Sequence, residues 1–371
     1  MVWREGMTRR TFIRRAGQLG VGAIGLGSVM TVLDACSAGS ATGAPSSSAG
    51  AARASASAAP PAALQAVKVQ LLWIEDVEFA GLYAASSQGF LKAAGLSQTL
   101  IPGGPQINAI QSVAGGAAPI GLIGSTDQMI QARANGVPVK MIAATFQTGP
   151  FGVMSLASAP IKTPSDLVGK KIGLQAGGRP TFSEMLSASG LTASQMTIVP
   201  VGTDPTPLVS GQVDGFWSYA FNQPLELAAK GIKTTMLLAS TAGVPDYGDV
   251  IFTLDDVLQK NEALLVSWLR AAVQGWQYAL ANPAAMAKET VDQSPSLKLS
   301  LSQQTAQASA QVPFLTSALT KAKGLLWIDP SSVSKSIDLN LKTGQIKSAV
   351  NVNDVMTTTI LEKAFGGKTT L

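Results

Sequence analysis

The chain has 371 residues, with 27 Lys and Arg against 22 Asp and Glu, no histidine and one cysteine. Without histidine there is no Ser-His-Asp triad, Cys-His pair, imidazole metal site or histidine general base, and one cysteine cannot form an intrachain disulfide. The formal charge of +5 is weighted to the N-terminus, and no basic run interleaved with aromatics follows, so no nucleic-acid partner is expected.

In chain order, Thr8-Arg9-Arg10-Thr11-Phe12-Ile13 is a twin-arginine start. A weakly apolar segment, residues 16–32, leads to Leu33-Asp34-Ala35-Cys36. This is the basic, apolar, small-residue order of a secretory signal. The apolar segment is 17 residues long with five glycines, whereas a spanning helix needs about 20 strongly apolar residues. The sole thiol after Ala35 resembles the lipobox cysteine of bacterial lipoproteins, which takes lipid and becomes the new N-terminus. Asp34 departs from that pattern, and a plain cleaved signal with an incidental cysteine is the alternative. The expectation is a twin-arginine lipoprotein signal over 1–35, then lipidated Cys36 and a flexible linker over 36–66. The mature protein is then exported and held by its acyl chains on the outer face of the cytoplasmic membrane. Removing 1–35 takes away five basic and two acidic residues, leaving 22 and 20, a net charge of +2.

Residues 37–64 are rich in Ala, Ser, Gly and Pro, with Arg53 their only charge. Such a segment buries too little apolar surface to offset its ordering entropy, and it reads as a tether. The body then alternates between strand and helix patterns. Strands are expected at 67–73, 97–101, 120–123 and 139–144, with helices at 79–94, 105–114 and from Ser125-Thr126-Asp127 to Ala134, ended by Asn135-Gly136. This rhythm predicts an α/β fold with parallel sheet. A faint repeat relates Val113-Ala114-Gly115, Gly121 and Gly136 to Val209-Ser210-Gly211, Gly215 and Gly231, implying two lobes built on one unit. Residues 255–281 read as a helix whose Leu265, Trp268, Leu269, Val273 and Trp276 face a core. Further helices are expected within 289–322 and at 331–341.

One ordered set of segments resembles a known family. It runs Leu72-Trp73, Glu78-Phe79-Ala80-Gly81-Leu82-Tyr83, Gly89-Phe90, Ile101-Pro102-Gly103-Gly104, Gln147-Thr148-Gly149-Pro150, Thr163-Pro164-Ser165-Asp166-Leu167 and Gly211-Gln212-Val213-Asp214-Gly215. These are similar to ABC-transporter substrate-binding proteins of the thiamine-pyrimidine and riboflavin type, within the nitrate, sulfonate and taurine binders. The resemblance covers about residues 67–280. It implies a type II periplasmic-binding-protein fold: two lobes joined by two crossover strands, with ligand between them. On that reading 67–156 and 247–371 form one lobe and 157–246 the other, and crossovers lie near 141–156 and 247–254. It also implies a monomer without cofactor, partnered by a small-molecule ligand, an ABC permease and its ATPase. Eukaryotic relatives that make the thiamine pyrimidine use a histidine and a cysteine-rich motif, which this chain lacks, so no enzyme activity is expected.

The residues suggest how a ligand would be held. Trp73, Phe79, Trp217, Tyr219, Phe221 and Tyr247 offer faces for a flat ring. Glu75, Asp76, Gln147, Asn222 and Asp249 offer groups for its N–H and C=O edges. Ordinary core packing is the competing reading for each aromatic. Ser125, Thr126 and Gly177-Gly178-Arg179-Pro180-Thr181 at helix starts would instead hold a small anion, such as an alkanesulfonate, taurine or nitrate. The acidic run Glu75-Asp76-Glu78 favours the heteroaromatic. An enzyme on the same fold and an extracellular sensory module are the other function classes.

Overall fold

The computed structural model of the protein describes residues 63–104 and 106–371. The expected signal over 1–35, Cys36 and residues 37–62 of the tether lie outside the described residues. Two five-stranded sheets form the framework. The first contains β1 (Gln65–Gln70), β2 (Leu96–Ile101), β3 (Ile120–Ile123) and β4 (Val139–Phe146). The second contains β5 (Phe151–Leu156), β6 (Lys171–Leu174), β7 (Thr197–Pro200), β8 (Gly215–Tyr219) and β9 (Thr234–Leu238). The chain then returns to the first sheet as β10 (Gly248–Leu254).

The strand orders are β2-β1-β3-β10-β4 and β7-β6-β8-β5-β9. In each sheet the first three strands are parallel, and the fourth runs antiparallel to both neighbours. The fourth strands, β10 and β5, follow the two segments in which the chain changes sheet, 147–150 outward and 239–247 on return. These segments are tied together by the Gly149 N–H, which donates to the Asp246 carbonyl at 2.9 Å. The repeat seen in sequence matches the succession helix, β3, helix, β4 in one sheet and helix, β8, helix, β9 in the other.

β4 and β10 are buried along nearly their whole length. Strands covered on both faces read as continuous apolar runs, which is why they are visible in the sequence. Trp268 and Trp276 lie in the core, as the helical stripe predicts.

Several boundaries differ from those expected. β5 pairs with β8 and β9, so residues 151–156 belong to the second sheet rather than the first lobe. The break falls at Gly149-Pro150, ahead of the apolar run, and the run itself is an inner strand. β1 starts at Gln65, where its pairing with Leu96 begins, so the linker ends before residue 66. The helix expected at 79–94 is a 3-10 turn, Val77–Phe79, followed by helices Ala80–Ser87 and Phe90–Ala93; Gly89, at φ 77°, separates the two helices. The helix expected from 105 begins at Ala109, where the Asn108 side chain accepts the Gln111 N–H. Asn261 divides the helix expected at 255–281 into Asp255–Lys260 and Glu262–Ala281. Residues 289–322 carry the end of Pro283–Gln293, then Leu301–Leu315 and Ala318–Lys323. No described helix is long and apolar enough to cross a membrane.

Candidate functional site

A cavity of about 330 Å³ opens at the ends of β1, β3 and β8. In open α/β sheets ligands bind beyond such strand ends. First-lobe walls come from Leu72, Trp73, Glu78, Ile123, Ser125 and Gln128, and second-lobe walls from Phe151, Gly178, Thr181, Trp217, Tyr219 and Asn222. Among the described residues, no Lys or Arg lines it.

The aromatic wall follows from strand register. Val153 on β5 pairs with Trp217 on β8, and Phe151 pairs with Tyr219. Residues two apart on a strand share a face, so Phe151 and Trp217 are diagonal neighbours. Their rings are parallel within 1°, with centroids 6.3 Å apart. Phe182 meets the same indole edge-on at 5.6 Å. Gly178 admits the indole, because a Cβ there would overlap it. Trp217 is buried, and its Nε1 has no partner among the described residues. Gln128 Oε1 is likewise without a donor. The Asn222 and Ser125 side chains form no hydrogen bond among the described residues, whereas Gln175 and Gln223 are committed to their own lobe. Unused capacity therefore sits on Trp217, Gln128, Asn222 and Ser125.

One wall is acidic. Tyr219 Oη donates to Asp249 Oδ1 at 3.1 Å and lies 3.4 Å from Glu78 Oε1. One hydroxyl proton serves one strong bond, and the shorter distance favours Asp249. Burial, followed by the charges of Asp249 and Asp76, pushes Glu78 well above the ordinary carboxylate range. Burial also raises Asp249 to about 8 and Asp76 to about 6. Two buried carboxyls side by side cannot both ionise cheaply. We place the retained proton on Glu78, with Asp249 accepting it. Glu78 then meets the cavity as a neutral carboxyl whose one proton goes to Asp249 and whose remaining lone pairs can accept.

Of the expected site residues, Trp73, Ser125, Trp217, Tyr219 and Asn222 line the cavity. Trp73 is positioned by the Gly103 N–H, which donates to its carbonyl at 2.8 Å. Asp249 stands one layer behind, against Tyr219. Phe79 is fully buried in the first-lobe core, and Phe221 packs on Phe146, Tyr219 and Phe314. Tyr247 points away from the cavity: its hydroxyl accepts the Asp329 N–H at 2.9 Å. Gln147 is used structurally, donating to the Trp327 carbonyl at 3.0 Å and accepting from Ser317 at 3.1 Å. Asp76 caps the 3-10 turn through the Glu78 N–H. Glu75 is half-buried away from the lining.

The expected anion site is also occupied differently. The Thr126 N–H donates to Asp246 Oδ1 at 2.8 Å, and Thr126 Oγ1 accepts the Tyr247 N–H. A carboxyl of the return segment thus fills that helix start. Arg179 is exposed and does not line the cavity. Sequence reasoning did not place Phe151 or Gln128 in the site, read Gly178 as part of an anion-binding helix start rather than as room for the Trp217 indole, and treated Glu78 only as a neighbour. An aromatic directly after Gly149-Pro150 and a polar residue two past Thr126 were the available signals.

The chain is 25% identical to the riboflavin-binding protein RibY of Chloroflexus aurantiacus, over 79% of this chain and 85% of that protein. It is 28% identical to a formylaminopyrimidine-binding protein of Halalkalibacterium halodurans, over 60% and 68%. A relative from Aspergillus parasiticus, 25% identical over 60% and 69%, is named 4-amino-5-hydroxymethyl-2-methylpyrimidine phosphate synthase. Among solved structures, the periplasmic aliphatic sulphonate binding protein SsuA of Escherichia coli matches with a TM-score of 0.61 at 15% identity, covering 78% of this chain and 91% of that one. That likeness and the two sheet orders identify the type II periplasmic-binding-protein fold. The family model described as NMT1/THI5 like matches residues 76–286, and the chain belongs to the NMT1/THI5-like family.

Proposed function

We propose that the protein is the extracytoplasmic substrate-binding component of an ABC importer, tethered to the membrane through lipidated Cys36. It captures a small, flat nitrogen heterocycle, a thiamine-pyrimidine precursor or a riboflavin-like ring, between its lobes and delivers it to the permease and its ATPase. The observation carrying the ligand class is the pairing of parallel Phe151 and Trp217 with Trp217 Nε1 and Gln128 Oε1, both unmatched among the described residues, in a cavity that no described Lys or Arg lines. Aromatic faces hold a ring by stacking, and a few fixed polar groups read its edge. Glu78, Asn222 and Ser125 supply the remaining edge partners.

The arrangement suits an anion poorly. Asp246 already fills the helix start at Thr126, and among the described residues the cavity wall carries the Glu78 carboxyl but no Lys or Arg. Relatives named as synthases raise the question of catalysis, but this chain has no histidine, and other relatives are named as binding proteins.

Titration of the Trp fluorescence with riboflavin, formylaminopyrimidine, taurine, an alkanesulfonate and nitrate tests the reading. A heterocycle is expected to bind. Trp217→Ala is expected to weaken it about 5–150-fold, by analogy with the roughly 1–3 kcal/mol of base–aromatic stacking. Arg179→Ala is expected to leave affinity within about twofold. Sulfonate binding that Arg179→Ala abolishes, with no response to either heterocycle, would overturn the ligand class.

A further inference from the structure

A second acidic cluster lies outside the cavity wall and joins the lobes. Asp127 sits in the first turn of the first-lobe helix Thr126–Ala134, and Glu184 lies on the second-lobe helix Arg179–Ala188. Both side chains are fully buried. The Asp127 carboxyl is well supplied: Thr181 Oγ1 donates to Oδ2 at 3.1 Å, and Asn340 Nδ2 donates to Oδ1 at 3.1 Å. Glu184 is the opposite case, for neither of its oxygens has a donor among the described residues. Its carboxyl lies within hydrogen-bonding reach of Asp127 and near Asp246.

We propose that Asp127 and Glu184 hold one proton between them across the cleft, forming a latch whose closure takes a proton from solvent. The proton resides on Glu184 and is donated to Asp127, which supplies the donor that the pair otherwise lacks. When the lobes separate, Glu184 becomes hydrated and releases the proton.

The surrounding charges agree. Burial, then the charge of Asp127 and that of Asp246, pushes Glu184 up to about 11. Burial raises Asp127 as well, and burial with the charge of Asp127 raises Asp246. Four elements enclose the pair. The Asp127 helix carries Arg133, which is engaged by Asp255 at 2.6 Å. The Glu184 helix carries exposed Arg179 at its start. The return segment carries Asp246 and Tyr247. Helix Pro330–Lys342 brings Asn340 to Asp127, with Lys335, Asp338 and Lys342 in an outer groove and Asp329 at its cap. None of these cations pairs with Asp127, Glu184 or Asp246 among the described residues. Without a countercharge, a proton is the species that neutralises the pair.

In the closed form Glu184 stays protonated far above its ordinary value, and in the open form it ionises near that value. Between the two, closure binds one proton, so the closed population relative to the open falls about tenfold per pH unit.

Small-angle scattering from the ligand-free protein between pH 5 and 9 tests the latch without any assumption about ligand. The wild-type radius of gyration is expected to rise toward pH 9. Glu184→Gln, whose amide donates to Asp127 at every pH, is expected to stay compact at pH 9 and match wild type at pH 5. Asp127→Asn, which donates to an ionised Glu184, is expected to behave alike and guards against misfolding of a single variant. Wild-type and variant curves that coincide across the range would overturn the proposal.

Discussion

The Asp246 carboxylate, on the segment returning from the second lobe, accepts the Thr126 N–H at 2.8 Å and so caps a first-lobe helix from outside it. Ser125 holds the N-cap position, yet its side chain caps nothing. Asp246→Ala leaves a buried N–H without an acceptor. It is expected to cost about 1–3 kcal/mol, seen as a lower denaturant midpoint. Asp246→Asn keeps an acceptor and is expected to cost less.

Two aromatics near the cavity are expected to separate stability from binding. Phe79 is fully buried in the core, and Phe79→Ala is expected to cost about 3–5 kcal/mol in unfolding. In protein that remains folded, it should leave heterocycle affinity within a few-fold. Phe151→Ala removes the ring parallel to Trp217 and is expected to weaken heterocycle binding while costing less stability, since Phe151 is only half-buried. Equilibrium unfolding and fluorescence titration on the same preparations check both.

The acidic wall sets a pH dependence of stability. Asp249 and Asp76 are raised in the folded protein to about 8 and about 6, from ordinary values of 3.8, chiefly by burial. Below about pH 4 folded and unfolded chains both hold these protons, and no penalty exists. As pH rises toward 8, the unfolded chain releases them first, so stability is lost across that window. The melting temperature is expected to fall from pH 5 to pH 8. Asp249→Asn should flatten the fall, because Asn tolerates the φ of 48° at this position and cannot ionise.

The N-terminal reading is tested in cells. Cys36→Ser is expected to move the protein out of the membrane fraction without unfolding it. Retention in membranes after a high-salt wash would remove the lipid anchor from the account. Replacing both Arg9 and Arg10 by Lys is expected to block export, and undiminished export would point to the general secretory route.

Much of the framework was legible because buried strands leave continuous apolar runs and the glycine spacing repeats between lobes. The aromatic run 215–222 also located Trp217, Tyr219 and Asn222, since a strand end rich in aromatics delivers some of them to the cleft. Phe151 and Gln128 were not legible. Their place depends on which face of β5 and of the helix Thr126–Ala134 meets the opposite lobe, and periodicity within one element carries no record of the other. Gln147 and Tyr247 looked like free edge partners but are consumed by Trp327, Ser317 and Asp329, three residues far along the chain. The short helices Val352–Val355 and Thr359–Phe365 were missed because neither spans enough turns to show a period.

The position of β10 governs the order in which the protein assembles. β3 and β4 are not neighbours, and the strand between them is supplied only after the whole second sheet has been made. The second lobe's five strands lie in one continuous stretch, so that sheet closes as soon as its own segment is available. The first sheet stays split during synthesis, with two strand edges exposed, until residues 248–254 emerge and fill the gap. Such edges invite pairing with other chains. Truncation before residue 248 is therefore expected to yield aggregate from the first lobe, whereas the second-lobe sheet keeps all its strands.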